Sequence, residues 1–266
     1  MSGKDGPRPE KSGPHPLARL RTHTDARIAL GRFGAGLPTA AHLDLAEAHA
    51  AARDAVHAGF DVAGAEAALA ASRRSTLRVA SQASDRRTYL RRPDLGRLLA
   101  PQSVALLRQS PGPHDLVLIV ADGLSALAAN SYGCAVAAGI LERLPEAWTV
   151  APVVLASHAR VALSDPIGEA LGAKIALMLI GERPGLSSAD SLGAYLTFGP
   201  RPGRSDAGRN CVSNIRGRGL GPSAAVEKLV DLIRRSHALG LSGVGLKDDG
   251  DDRLADPSAD GPLIGR

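Results

Sequence analysis

The side chains able to do chemistry cluster in short stretches that follow apolar runs. Asp122-Gly123-Leu124-Ser125 comes after LVLIV, Arg160-Val161 after WTVAPVVLA, and Gly181-Glu182-Arg183-Pro184-Gly185 after IALMLI. The pair Glu182-Arg183 reads in two ways: as polar groups presented to a ligand at a strand end, or as a turn whose charges face water. Residues 181–185 form no Walker A loop, since no Gly-Lys-Ser/Thr follows, and no GxGxxG opens a helix in this half of the chain. Asp122 to Ser125 resembles a nucleophile elbow only loosely, because Leu127 stands where GxSxG needs its second glycine. Asp122 is therefore expected to cap the following helix or accept N–H bonds at its start, with Ser125 in the first turn.

His42, His49 and His57 recur at spacings that place them on roughly one face of a helix. Seven helical residues span ~10 Å whereas one metal ion needs donors at ~2 Å, so the stripe is expected to face solvent or an interface. Cys211 sits in RNCVSNIR, where Arg209 would favour a thiolate, but no histidine lies nearby in sequence to act as its base. Taken alone, it reads as an inert thiol. With Cys134 it makes two isolated cysteines, without CxxC or a Cys/His cluster, so neither a disulfide framework nor a structural zinc is expected.

The elements that would carry these residues follow two grammars. Residues 17–110 are read as a helical region rich in Ala and Arg, its first long helix running from Thr39 as N-cap to Gly59. Arg73, Arg74, Arg78, Arg86, Arg87, Arg91 and Arg92 would keep its outer stripes charged, and Pro93 would close it. Residues 111–248 are read as a Rossmann-like, mainly parallel α/β domain. The runs LVLIV and IALMLI are apolar on both faces and WTVAPVVLA nearly so, with helical segments between them, as a sheet covered on both sides requires. Ser164-Asp165-Pro166 would cap a short helix stopped by Gly172, and Val226, Leu229, Val230 and Ile233 mark a helix that Gly240 ends. Residues 1–16 and 249–266, rich in Gly and Pro and, at the C-terminus, in Asp, are read as a disordered arm and a mobile acidic tail.

Composition narrows the function classes. Thirty-two Lys and Arg against 27 Asp and Glu give a net charge of +5 without a basic run, and aromatic residues make up 3%, too few for base-stacking platforms, so no nucleic-acid partner is expected. No apolar stretch suits a membrane span or a signal-peptide core, which predicts a cytoplasmic protein.

Longer motifs add a family. LGRFGAGLPTAAHL (30–43), ARDAVH (52–57), YLRRPDLGRLL (89–99), ADGLSA (121–126), RVALSDPIGEALGA (160–173), LIGERPGLSSADSLGAYLTF (179–198), RNCVSNIR (209–216) and SGVGLKD (242–248) occur in one order. Together they resemble the small (light) subunit of ethanolamine ammonia-lyase, over about residues 17–248. The resemblance implies one part of an adenosylcobalamin-dependent radical enzyme that converts ethanolamine to acetaldehyde and ammonia. It also implies a large subunit, a TIM barrel, that binds the substrate and carries the radical-handling residues, and an assembly of several heterodimers. Matched motif by motif, the family's cobalamin contacts fall on Val161, Glu182 and Cys211, with no catalytic residue in this chain. A bacterial microcompartment is a second location the resemblance implies. The residues read without it leave a stand-alone Rossmann-like nucleotide-binding enzyme or module, using Asp122 and Glu182, as the alternative.

Overall fold

The computed structural model describes residues 16–32, 34–71 and 74–246. The expectations for the N-terminal arm before residue 16, for Arg73 and for the acidic tail lie outside the described residues.

The apolar runs form the middle of a six-stranded sheet in the order β1-β3-β2-β4-β5-β6. Its strands are β1 (Thr76–Ala80), β2 (His114–Ala121), β3 (Val153–Ser157), β4 (Ala173–Gly181), β5 (Leu192–Phe198) and β6 (Arg209–Ile215). The first four pair in parallel, and β5 and β6 extend the sheet antiparallel beyond β4. The mainly parallel α/β architecture expected from the sequence is present.

Period-two alternation explains why the runs LVLIV of β2 and IALMLI of β4 are apolar at every position. Leu116, Leu118 and Val120 of β2, with Ile175, Leu177 and Leu179 of β4, pack on one face against α2 (Val62–Ala70), α6 (Cys134–Leu141) and α8 (Pro222–Leu239). Val117, Ile119 and Ala121, with Ala176, Met178 and Ile180, pack on the other against α4 (Pro101–Leu107) and α7 (Ser164–Ala170). Helix α8 buries Val226, Leu229, Val230 and Ile233, and ends as expected at Gly240, whose φ of +67° suits a glycine and whose N–H reaches the Ser236 carbonyl.

Several local expectations shift. Strand β1 lies inside the stretch read as helical and pairs with β3 at the sheet edge; its polar flanks and single fully buried residue, Val79, gave no apolar run to read. Helix α1 (Thr39–His57) begins with Thr39 as its first turn rather than its cap, after Pro38. Ser164 and Asp165 do not cap α7 but lie within it. The Asp165 carboxylate instead forms a bidentate pair with Arg209, at 2.6 and 2.8 Å, with both side chains almost fully buried. Neither β5 nor β6 was anticipated, because Gly193, Asn210 and Ser213 interrupt their apolar pattern.

Candidate functional site

The loops singled out in the sequence leave the carboxyl ends of three adjacent parallel strands. In an open α/β sheet that edge gathers ligands, because side chains and backbone groups from several loops converge beyond it. A cavity of about 420 Å³ opens there, lined by Gly123 and Leu124 after β2, Arg160 and Val161 after β3, Ile180 to Arg183 at the end of β4, Tyr195 of β5, and Tyr89 of α3 (Arg86–Arg91).

Glycine makes this convergence possible. Gly123 has φ +54°, and a Cβ there would lie 2.1 Å from the Gly181 carbonyl oxygen; a Cβ on Gly181 would lie 1.9 Å from the Ser125 carbonyl oxygen. The two loops therefore meet backbone to backbone, and the Leu124 N–H donates to the Gly181 carbonyl at 2.9 Å.

Glu182 is held from one side only. Its Oε2 accepts from the Ser191 hydroxyl and from the Asn214 N–H at 3.2 Å. A bulge in the β5–β6 pairing, between Leu192 and Ala194, frees that N–H from the ladder. The other carboxylate oxygen, Oε1, has no hydrogen bond among the described residues. Val161 is half-buried in a 3₁₀ turn, and its carbonyl accepts the Ser164 hydroxyl at 2.8 Å. Cys211 lies directly across from Tyr195 in the β5–β6 register and is exposed. Partial burial of the sulfur and the nearby Glu182 carboxylate push its thiol pKa up, against a lowering hydrogen bond with Tyr195, so it is a poor nucleophile. Burial and Cys211 together raise the Tyr195 hydroxyl. Val161 and Glu182 thus line the cavity itself, while Cys211 borders it through Tyr195. Both cysteines are free thiols.

Contrary to expectation, Asp122 does not cap the following helix but works across the sheet edge. Its carboxylate accepts the backbone N–H groups of His158 at 2.8 Å and Ala159 at 3.1 Å, and Arg86 approaches at 3.4 Å. Burial raises its pKa despite those donors, the His158 N–H foremost. Ser125 provides the cap of α5 (Ala126–Ala128), accepting from the Ala128 N–H and donating to the Ala189 carbonyl. Arg86, expected on a charged outer stripe, is turned inward: Nε donates to the Val56 carbonyl and Nη1 to the Gly123 carbonyl, both at 2.7 Å, tying the end of α1 to the β2 loop. Arg74, Arg78, Arg87, Arg91 and Arg92 are exposed, as expected.

Sequence reasoning missed the aromatic walls. Tyr89 is fully buried, its hydroxyl donates to the Ala159 carbonyl at 2.9 Å, and the guanidiniums of Arg160 and Arg86 lie 4.4 and 4.9 Å from its ring centroid. The only signal for Tyr89 and Tyr195 was their place in YLRRPDLGRLL and SLGAYLTF; nothing local ties either to a cavity. His42, His49 and His57 are all exposed on α1, and no group of three or more His, Cys, Asp or Glu among the described residues could hold a metal ion. No helix among the described residues is long and apolar enough to cross a membrane.

A mostly parallel sheet with a mixed polar and aromatic cavity at the carboxyl ends of its central strands is the arrangement of an α/β ligand-binding protein. Residues 14–247 match the family described as ethanolamine ammonia-lyase light chain (EutC). A protein of Azotobacter vinelandii named ethanolamine ammonia-lyase small subunit is 50% identical over 253 residues, covering 93% of this chain and 94% of its own length. Proteins of the same name in Xanthomonas campestris and Pseudomonas putida are 50% and 52% identical, covering 93% and 88% of this chain and 90% and 88% of their own. The chain belongs to the ethanolamine ammonia-lyase light chain family.

Proposed function

We propose that this chain is the small subunit of an adenosylcobalamin-dependent ethanolamine ammonia-lyase, which converts ethanolamine to acetaldehyde and ammonia. A large subunit would carry the substrate site and pair with this chain in a hetero-oligomer of several heterodimers, in the cytoplasm or in a microcompartment. The observation that carries the reading is the meeting of Val161, Glu182 and Cys211 at one open edge of the sheet, in a chain of this family.

The residues present fit a corrinoid. Its rim alternates amide side chains with apolar ring edge, so a matching surface needs fixed hydrogen-bond acceptors and donors between aliphatic contacts. Glu182 Oε1 is an acceptor without an internal partner, and the Arg160 guanidinium is a donor without one. Val161, Leu124 and Ile180 supply the aliphatic contacts. Cys211 and the ring of Tyr195 extend the surface beyond the cavity, towards a partner that would cover the rest of the ligand.

When bound, adenosylcobalamin would supply the radical chemistry that starts the deamination. This chain's part is binding, orientation and exclusion of water. Ser191 and Asn214 fix the Glu182 carboxylate so that its free oxygen can accept an amide N–H, and the apolar side chains keep solvent from the bound edge.

The test is acetaldehyde release from ethanolamine and adenosylcobalamin by the large subunit, with and without this chain co-expressed. Activity only in the pair is expected, and Glu182→Ala should weaken cofactor affinity in the pair while assembly persists. Full activity of the large subunit alone, or saturable nucleotide binding by the lone chain, would contradict the reading.

A further inference from the structure

Resting on that reading of the site, we propose that Arg160 is a further corrinoid-binding residue, whose guanidinium donates to an oxygen of the cofactor, either an amide carbonyl or the phosphodiester. Among the described residues Arg160 is the one buried or half-buried arginine whose guanidinium has no acceptor at all; Arg86 leaves only its Nη2 unpartnered. Arg27, Arg86, Arg204, Arg209, Arg216 and Arg235 each have a carboxylate or carbonyl acceptor within the chain. Arg160 lines the cavity, its Nε is buried without a hydrogen-bond partner, and no carboxylate among the described residues pairs with it. No N–H of its guanidinium has an acceptor among the described residues, so the terminal Nη groups are left to donate to a ligand oxygen in the cavity.

The side chain is nonetheless held in place. Its guanidinium lies 4.4 Å from the Tyr89 ring centroid, the backbone N–H of Arg160 donates to the Gly96 carbonyl at 2.8 Å, and the missing Cβ of Gly96 makes room for the side chain, since one there would lie 2.9 Å from Arg160 Cγ. Stacking fixes the plane of the fork while leaving its N–H edges unused, the state in which arginine binds an oxygen with least loss of freedom. Across the cavity, Glu182 offers the opposite polarity. A donor-only and an acceptor-only group facing one space suit a ligand rimmed by amides, whose carbonyl and NH₂ need one of each.

The experiment uses the co-purified pair of large subunit and this chain, titrated with hydroxocobalamin and, separately, with aquocobinamide, which keeps the corrin amides and lacks the phosphodiester and its nucleotide. Bound corrinoid is read by absorbance after equilibrium dialysis. Arg160→Met, which keeps the stem over Tyr89, should weaken hydroxocobalamin binding about tenfold or more, with co-purification unchanged. An equal loss for cobinamide identifies an amide carbonyl as the acceptor, and a loss for hydroxocobalamin alone identifies the phosphodiester. If Arg160→Met fails to pair, Arg160→Lys keeps the charge, loses the fork, and should still show a several-fold loss. Wild-type binding with unchanged affinity in the variant overturns the proposal alone; a wild-type pair that binds no corrinoid overturns both it and the reading of the site.

Discussion

The parallel half of the sheet and the antiparallel pair β5–β6 are built to opposite rules. In the parallel half β2 and β4 are buried on both faces, and each strand end feeds a loop into the cavity. In the antiparallel pair Leu192, Ala194, Leu196 and Val212 pack inward, whereas Tyr195 is half-buried and Cys211 exposed on the other side. The enclosed half holds loops rigidly at one edge, and the half-open pair leaves a surface on which something can lie. The division also explains the buried Asp165–Arg209 pair, which staples α7 to β6 where the open face begins.

Substitutions should separate the two halves. The largest effect is expected at the seam: Gly181→Val places a Cβ against the Ser125 carbonyl and should destabilise by more than about 3 kcal/mol, a fall of roughly 10 °C in Tm. Gly59→Ala, where a Cβ meets nothing within 4 Å and neither neighbouring helix uses the residue as its cap, is the control and should melt within a few degrees of wild type. Next, Leu118→Ala in the enclosed core should lose about 2–5 kcal/mol by urea unfolding, against less than about 0.5 kcal/mol for Cys211→Ser on the open face. Equal losses would mean that the two regions do not differ as described.

A smaller effect appears at high pH. Burial pushes the Tyr89 hydroxyl from 10.0 up to about 12, so its neutral form adds stability that is complete below pH 10 and is lost as the pH rises through 12. Tyr89→Phe gives up the bond to the Ala159 carbonyl, about 1 kcal/mol at pH 8, but has no phenol to ionise. The wild-type advantage should therefore shrink by roughly 1 kcal/mol at pH 11, read from melting curves between pH 8 and 11. A constant gap would mean that Tyr89 titrates like an exposed tyrosine.

The sequence made legible whatever was local and apolar. LVLIV and IALMLI became β2 and β4, the four spaced apolar residues of α8 became its buried face, and the loops after β2, β3 and β4 became three walls of the cavity. Pairing across distance was not legible. Strand β1 has too few buried residues to show a pattern, and the two strands β5 and β6 are apolar on one side and interrupted by polar residues. The roles of Asp122 and Asp165 depend on partners 36 or more residues away, His158 and Ala159 for one and Arg209 for the other. The loops of Val161 and Glu182 stand out after apolar runs, Cys211 as a site residue and the cobalamin role of all three come from resemblance to a family, and the inward turn of Arg86 and the unpaired Arg160 need the fold itself.

The most direct test of the central claim, that the open edge beside β5 and β6 is the small-subunit half of a corrinoid site, is a hydroxocobalamin titration of the assembled pair carrying Cys211→Trp. The substitution adds bulk on an exposed strand position and leaves the buried core alone. The account predicts that the two subunits still co-purify while corrinoid affinity falls at least tenfold. Wild-type affinity in that variant would contradict it.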